Sequence, residues 1–562
     1  MNEELTLGQL PSERPALSDL GATHSAWMAD WTKAESAAQQ LALIHRWDGE
    51  QKRLETWKNL AHIRFARNTQ DKEEKAFWDE LWPEIAGQNL EVMRAVLASP
   101  VRTELEQALG SHAFGIWGVE VQAFDPSIAD DKRAESKLVT RYDTLISELR
   151  AEFGGEQVRM MDLRGKYGDS ERSVRHAARV AQDGAMGKVS EEIDSIYAEL
   201  VALRTTMAKK MGLSSYTPLG YKRMGRSDYG PEQVAAFRKQ LLETVVPLAV
   251  KIRARRAKTL GLEGEYSYHD ESVRDSKGVP RPMGGHDWMR EQARGMFSAL
   301  GQDFSKFYGL MERRELMDLE AREGKVSGGF CESLPEHQVP FIFANFNGTQ
   351  DDVNVFTHEC GHAFQCWSAA QTQDLRDYGW PTMEACEIHS MGLELLTYNE
   401  MERFFGEDAE RFRQGHLEDA ILFLPYGALV DEFQHEVYAR PELSSDERAA
   451  LWQELESKWL PDRKYVDTPN FAGGRFWQRQ GHLFHMPFYY IDYCLAQVCA
   501  LQLWSMYLKD ADGTLKTYRE LCDLGGSQPF TGLLKTVGLR SPFQDGTVAQ
   551  VAELVSARLG LD

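Results

Sequence analysis

The sequence predicts a mainly α-helical protein with one small β-sheet. Three observations lead there: apolar residues return at intervals of three and four through long stretches, strand-like segments are scarce, and neither an internal repeat nor a low-complexity tract interrupts the pattern. Its 562 residues exceed one ordinary compact core, so two or three packed subdomains are expected, fused into a single helical body. Hydrophobic residues at 42% and charged residues at 27% lie within the globular range, so the chain should fold throughout.

Taken in order, residues 25 to 110 carry amphipathic helices, as in "WDELWPEIAGQNLEVMRAVLAS". A second long helix runs through "SVRHAARVAQDGAMGKVSEEIDSIYAELVALRTTMAKKMG" and stops at Gly212. The stretch "EYSYHDESVRDSKGVPRPMGGHD", dense in Gly, Pro, Ser and Asp, is expected to be a long surface loop with solvated charges. The clearest strand is "VPFIFANF", residues 339 to 346, ended by the turn pair Asn347-Gly348.

A formal net charge of -22 repels phosphate backbones and anionic lipid heads, so neither nucleic acid nor a membrane is an expected partner. Seven cysteines, all between Cys331 and Cys522, do not form the pattern of a secreted disulfide framework and are expected as reduced thiols. The start "MNEELTLGQLPSERP" lacks a basic and an apolar region of the signal type. No uninterrupted apolar run approaches the roughly 18 residues of a membrane span, and a cytoplasmic location is expected.

Residues 354 to 367, "NVFTHECGHAFQCW", lie in a helix that Thr349 or Asp351 can cap. Val353, Phe356, Cys360, Ala363, Phe364 and Trp367 form one apolar stripe, and His358 and His362 stand about 140° away from Val353, on a face of their own. Two imidazoles one turn apart can both reach a single tetrahedral Zn²⁺ at about 2.0 to 2.1 Å, and Glu359 beside them can take a proton from a water molecule there; this is the H-E-x-x-H arrangement of zinc peptidases. A third protein ligand is then required. Downstream, "PTMEACEIHSMGLELLTYNEMERFF" reads as a returning helix with Glu384, Glu387 and Glu394 close to one face, and spacing does not choose among them. His389 points elsewhere, roughly 200° from Glu387.

These residues resemble the thimet oligopeptidase and oligoendopeptidase F family of zinc metallopeptidases, closer to the oligoendopeptidase F branch. The segments "DLEAREGKVSGGFCE", "PFIFANFNGTQDDVNVFTHECGHAFQ", "CEIHSMGLELL", "DEFQHEVYARPELS" and "PFYYIDYCLAQ" occur in the family's order, and "MGLSSYTPLGYKRMGRSDYG" is also similar. The likeness covers roughly residues 200 to 560. It implies a zincin-like helical fold with the small sheet beside the active-site helix and a deep central channel. It divides the chain into an N-terminal helical region, 1 to 200, and a zinc-peptidase region, 201 to 562. It places one Zn²⁺ per chain on His358, His362 and Glu387, with Glu359 as general base and Glu394 orienting an imidazole from behind; Glu384 stays second choice for either carboxylate task.

The family's late histidine and tyrosines, which bind the substrate carbonyl, fall in "RQGHLFHMPFYYIDYCLAQ". His482 and His485 compete for one role, and the preferred set is His482, Tyr490 and Tyr493, the tyrosines sharing a helix face at i and i+3 with Pro487 at the helix start. The implied activity is hydrolysis of internal bonds in short peptides, with substrate extended along the edge of "PFIFANF". Gly328 and Gly329 are expected to let a loop approach it. A zinc carboxypeptidase of similar build would need a cationic site for the terminal carboxylate, which the sequence does not identify. A catalytically silent peptide-binding homologue would have no use for Glu359.

Overall fold

The computed structural model describes residues 5–561; the first four residues of the amino-terminal stretch discussed above lie outside the described residues. Helices that position the site are numbered in chain order. The helix α1 (Ala37–Arg67) opens with a capping box, in which Ser36 Oγ accepts from Gln39 N–H and Gln39 Oε1 accepts from Ser36 N–H. It pairs with α2 (Glu73–Leu97). A hairpin follows, β1 (Arg150–Phe153) and β2 (Glu156–Arg159), turned by Gly154 and Gly155, both with positive φ. The long α3 (Arg172–Lys210) ends just before Gly212, as its sequence predicts. It runs unbroken across residue 200, so no backbone seam marks the expected division there.

The second sheet holds β3 (Met317–Glu320), β4 (Phe330–Leu334) and β5 (Val339–Phe346) in the order β3-β5-β4. The strand expected to offer an edge to substrate is therefore central, paired in parallel with β3 and antiparallel with β4. Ile342 N–H donates to Leu316 O, so the even-numbered residues of β5 direct their backbone groups towards β3. Pro340, which lacks an N–H, fits that side because β3 pairing begins only at Ile342. The odd-numbered residues consequently bond β4. By the antiparallel alternation, Phe330 and Glu332 of β4 face β5, while Gly329, Cys331 and Ser333 face outward.

Side chains of α1 close part of that outer edge. Asn59 Nδ2 donates to Ser333 O at 2.8 Å, Thr56 Oγ1 accepts from Glu336 N–H at 3.0 Å, and His62 Nδ1 lies 2.9 Å from Glu332 Oε1. Among the described residues the outward backbone groups of Gly329 and Cys331 have no such side-chain partner, and Gly329 is exposed.

After the turn at Asn347-Gly348 comes α4 (Gln350–Thr372), with Thr349 at its N-cap. Thr349 makes no side-chain cap bond; the Asp352 carboxylate, in the first turn, instead ties down the preceding turn by accepting from Asn347 and Gly348 N–H. The expected apolar stripe is inside: Val353, Phe356, Cys360, Ala363 and Phe364 are buried and Trp367 is half-buried. The remaining helices are α5 (Met383–Leu396), α6 (Ala409–Ala439), α7 (Tyr490–Tyr507) and α8 (Ala511–Leu524); α5 packs between α4 and α7. One hydrophobic core runs from Leu7 to Leu559 and takes in residues of both sheets and of α3 to α8.

The segment expected as a solvated loop is largely pinned down. Asp270 is buried and accepts from Arg172 and Arg175, Glu271 pairs with Arg463, and Arg274 pairs with Asp419. Its irregular backbone follows from its Gly and Pro content, but its charges have partners far away in the sequence. Among the described residues no helix is long and apolar enough to cross a membrane.

Candidate metal centre and active site

His358 and His362 project from α4 towards Glu387 of α5. His358 Nε2 lies 3.3 Å and His362 Nε2 3.5 Å from Glu387 Oε2, and the rings stand at 84° with centroids 4.9 Å apart. Ligand atoms held tetrahedrally at about 2.0 to 2.1 Å from one ion stand about 3.3 Å apart, so the three donors fit a divalent cation at their common focus. Among the described residues this is the one such cluster. Gly361 makes the approach of the two helices possible: a Cβ there would collide with the His389 carbonyl and lie 2.6 Å from Ser390 Cα.

Polar groups behind the donors fix them. His358 Nδ1 lies 2.7 Å from Glu394 Oε1, which leaves Nε2 free to ligate. Glu394 Oε2 in turn lies 2.6 Å from His416 Nε2, and the Tyr398 hydroxyl lies 2.5 Å from His416 Nδ1. Burial works against the Glu394 charge, but hydrogen bonds from His358 and His416 hold its pKa at about 2. Glu387 accepts from Ser390 Oγ at 2.9 Å on Oε2 and from the Tyr489 hydroxyl at 2.9 Å on Oε1. Burial opposes its charge as well, yet the two imidazoles hold it well below the usual carboxylate range, ionised as a ligand must be. His362 Nδ1 is buried without a partner among the described residues.

The other two acidic candidates on α5 separate cleanly. Glu384 is fully buried near Arg226 and Tyr229, away from the focus, whereas Glu394 stands behind His358. His389 is buried beside Tyr518, which donates to its carbonyl at 2.8 Å.

Glu359 is buried, and burial pushes its carboxyl pKa up. Its Oε1 would stand 3.4 Å from a Cβ at Gly329, so Gly329 keeps the space between this carboxylate and the open edge of β4 clear. Gly328 has φ +97°, a conformation that favours glycine at the bend into the strand.

A cavity of about 320 Å³ adjoins the centre, and His416, Phe423, His482, Tyr490 and Tyr493 line it. His482 lies with its ring 4.9 Å from Tyr490 and 5.9 Å from Tyr493. Burial pushes its pKa down to about 4. Gln480 Oε1 accepts the Tyr426 hydroxyl, so Gln480 Nε2 is the donor to His482 Nδ1 at 2.7 Å, and the ring proton sits on Nε2. His485 points away, 2.7 Å from Asp143 and exposed. Pro487 does not start the following helix. It lies in a turn before Phe488, which has φ +71°, and the helix begins at Tyr490.

Two residues of this site escape sequence reasoning. Tyr489 precedes the helix as its N-cap, with its ring 4.8 Å from that of Tyr493, and its placement depends on the left-handed Phe488, which helical spacing does not reveal. His416 sits on α6 with Asp419, Ala420 and Phe423 at i+3, i+4 and i+7, a face that lines the cavity.

A helical body in which a His-Glu-x-x-His helix meets a glutamate from the next helix has the arrangement of a metallopeptidase, and the matches to known proteins make it a metalloendopeptidase. The description "Peptidase family M3" matches residues 303–553 and "Peptidase M3 N-terminal domain" matches residues 8–124. A solved structure described as an oligoendopeptidase F is 40% identical, with 99% of each chain covered and a TM-score of 0.94. The structure of PZ peptidase A with inhibitor 2 is 38% identical, again with 99% of each chain covered and a TM-score of 0.94. An oligoendopeptidase F from Bacillus anthracis str. Ames is 36% identical over 99% of this chain and 98% of that one, with a TM-score of 0.89. No curated protein matches. The chain belongs to peptidase family M3.

Proposed function

We propose that this protein is a zinc-dependent oligopeptidase that cuts internal bonds of short peptides. The observation that carries it is the focus of His358, His362 and Glu387 at 3.3 and 3.5 Å, with Glu359 on the same helix facing an unpaired strand edge. Zinc held by His358, His362 and Glu387 would supply Lewis acidity and bring the pKa of a water molecule towards 7.

Glu359 takes the proton of that water and hands it to the leaving amine, a role suited to a carboxylate whose pKa burial has raised. His482, neutral with its proton on Nε2, donates to the oxyanion that develops on the scissile carbonyl, together with the phenols of Tyr490 and Tyr493. Removing one such donor typically costs about 100- to 1000-fold in turnover. The substrate backbone adds to β4, not β5, pairing with the outward groups of Gly329 and Cys331 beside Glu359. Main-chain pairing asks little of side-chain sequence, so broad specificity follows.

The test is a graded series of peptides incubated with purified protein, with and without a chelator, each product identified by mass. Internal cuts that the chelator abolishes and zinc restores are expected. Release of single C-terminal residues alone would make it a carboxypeptidase, and intact peptides in every tube would leave a silent binder.

A further inference from the structure

In a chain of net charge -22, arginines near the cleft have carboxylates to choose from, and most take one. Arg226 pairs with Asp492, Arg463 with Glu271 and Glu456, and Arg256 with Glu418 and Asp419. Arg479 does not. It ends the 3-10 turn Phe476–Arg479, three residues before His482. Its guanidinium lies 4.7 Å from the Phe476 ring centroid, and its one hydrogen bond runs from Nη1 to the Tyr268 hydroxyl at 2.6 Å. Among the described residues no carboxylate oxygen comes within 4.0 Å of it. The side chain is solvent-exposed; burial works against its charge, but Tyr268 and Tyr426 favour it more, so the group stays a cation.

A second arginine without a close carboxylate partner shares the Tyr268 ring. Arg179 is buried, its guanidinium 3.6 Å from the Tyr167 ring centroid and 4.5 Å from that of Tyr268. It donates only to Gln182 Oε1 at 3.0 Å and Ser272 Oγ at 3.3 Å, and its Nε has no partner. Arg479 counts against its charge. Among the described residues neither guanidinium has a carboxylate oxygen within 4.0 Å, and Glu271, which favours the charge on Arg179 from farther off, is itself paired with Arg463; an anion beside the two arginines would lower the local potential.

Two ring contacts link Arg479 to the catalytic cavity, through Phe476 and Tyr426 to Tyr490. The Tyr426 ring stands 6.0 Å from Phe476 and 5.9 Å from Tyr490, and its hydroxyl holds the Gln480 amide that orients His482. An extended peptide with its scissile bond near His482 would bring a flanking residue to Arg479, which precedes His482 by three residues. The anion a peptide brings is a carboxylate, which matches the planar fork of a guanidinium.

We propose that Arg479, backed by Arg179, is a carboxylate-binding subsite for the peptide substrate. It rests on the peptidase function proposed above and narrows the substrate class to peptides that carry a carboxylate at that position, either the free C-terminus or an acidic side chain.

The test compares one susceptible peptide as its free acid, as its C-terminal amide, and as an amide with Glu in last place. Each is measured with wild-type protein, Arg479→Gln and Arg479→Lys. A charge-assisted hydrogen bond predicts that the wild type favours acid over amide by about 10- to 100-fold in kcat/KM, mostly through KM. Arg479→Gln should bring that ratio towards one, with Arg479→Lys in between. The ratio is internal to each protein, so loss of folded enzyme cancels from it. Recovery with the Glu amide makes side-chain carboxylates ligands too; no recovery restricts the site to the α-carboxylate. Equal cleavage of acid and amide by wild type, or a ratio unchanged in Arg479→Gln, overturns the subsite alone. Failure of wild type to cut any of the three overturns the peptidase function and the subsite with it.

Discussion

The Tyr489 hydroxyl donates to Glu387 Oε1 at 2.9 Å, on the carboxylate oxygen that faces away from the two imidazoles. Glu387 is thereby held from both sides, since Ser390 Oγ bonds Oε2. Tyr489 reaches it because Phe488 takes a left-handed backbone, an unusual conformation for an aromatic residue. That conformation is clamped: Phe488 N–H donates to Gln434 Oε1 at 2.8 Å, and Phe488 O accepts from Arg226 at 2.6 Å.

Replacing Tyr489 with Phe keeps the ring and removes this hydrogen bond, along with the hydroxyl's weaker interaction with Tyr493. Partners of metal ligands typically tune affinity by about 10- to 100-fold, so Tyr489→Phe should lose zinc to a competing chelator at a correspondingly lower chelator activity. An unchanged competition curve would remove Tyr489 from the support of the metal centre.

Glu359→Gln preserves shape but cannot accept a proton. His358, His362 and Glu387 are untouched, so zinc content after dialysis should equal that of the wild type. General acid–base catalysis contributes about 100- to 10,000-fold, and peptide turnover should fall by that much. Full activity in a metal-loaded variant would mean another group serves as base.

What the sequence made legible was local. The stripe on α4, a start near Thr349 or Asp351 and the face shared by His358 and His362 all follow from a period of 3.6 and a capping position, and the helix begins at Gln350. The choice among Glu384, Glu387 and Glu394 did not, because their shared face says nothing of what stands opposite; Arg226 and Tyr229 lie against the first and His416 against the last. Strand order was equally hidden, and β5 reads the same whether central or at an edge. Tyr489 depends on one left-handed residue, which no periodicity encodes. The hairpin at Gly154-Gly155 is different: its turn pair was in plain view, and its short polar strands carried too little alternation to draw notice.

Gly361 sits where α4 meets the α5 backbone, so Gly361→Ala forces a methyl group onto the His389 carbonyl. Overpacking against backbone, which has nowhere to move, costs about 1 to 3 kcal/mol. Since the same two helices carry all three donors, the variant should both unfold at lower denaturant and release zinc more readily. Wild-type behaviour in both measurements would mean the helices can separate freely.

His269 gives a pH dependence separate from the metal centre. It is buried, and burial pushes its pKa down to about 4, with His176, Arg172 and Arg175 adding to the effect and Asp270 opposing it. An unfolded histidine titrates near 6.5, so between about 6.5 and 4 the unfolded chain binds a proton that the folded chain does not. Stability from this group is complete above pH 6.5 and falls as pH drops through that window, by about 3 kcal/mol at most. Denaturant midpoints of His269→Asn should show a shallower decline from pH 7 to 4 than the wild type; parallel curves would dismiss His269 as the source.

The open stretch of β4 allows the substrate edge to be tested one donor at a time. Cys331 turns its N–H away from β5, whereas Phe330 turns its N–H towards Phe343. Proline is accepted on strand edges when its nitrogen faces outward, and it favours an extended residue before it, which Phe330 already is. Cys331→Pro should therefore leave the sheet and the metal in place while deleting one hydrogen bond to the peptide backbone, worth about 0.5 to 1.5 kcal/mol, or about 2- to 12-fold in kcat/KM. Phe330→Pro is the contrast, since it removes a bond inside the sheet and should lower stability. If Cys331→Pro cleaves peptides at the wild-type rate while remaining folded, the peptide does not lie along β4, and the broad specificity inferred from main-chain pairing loses its physical basis.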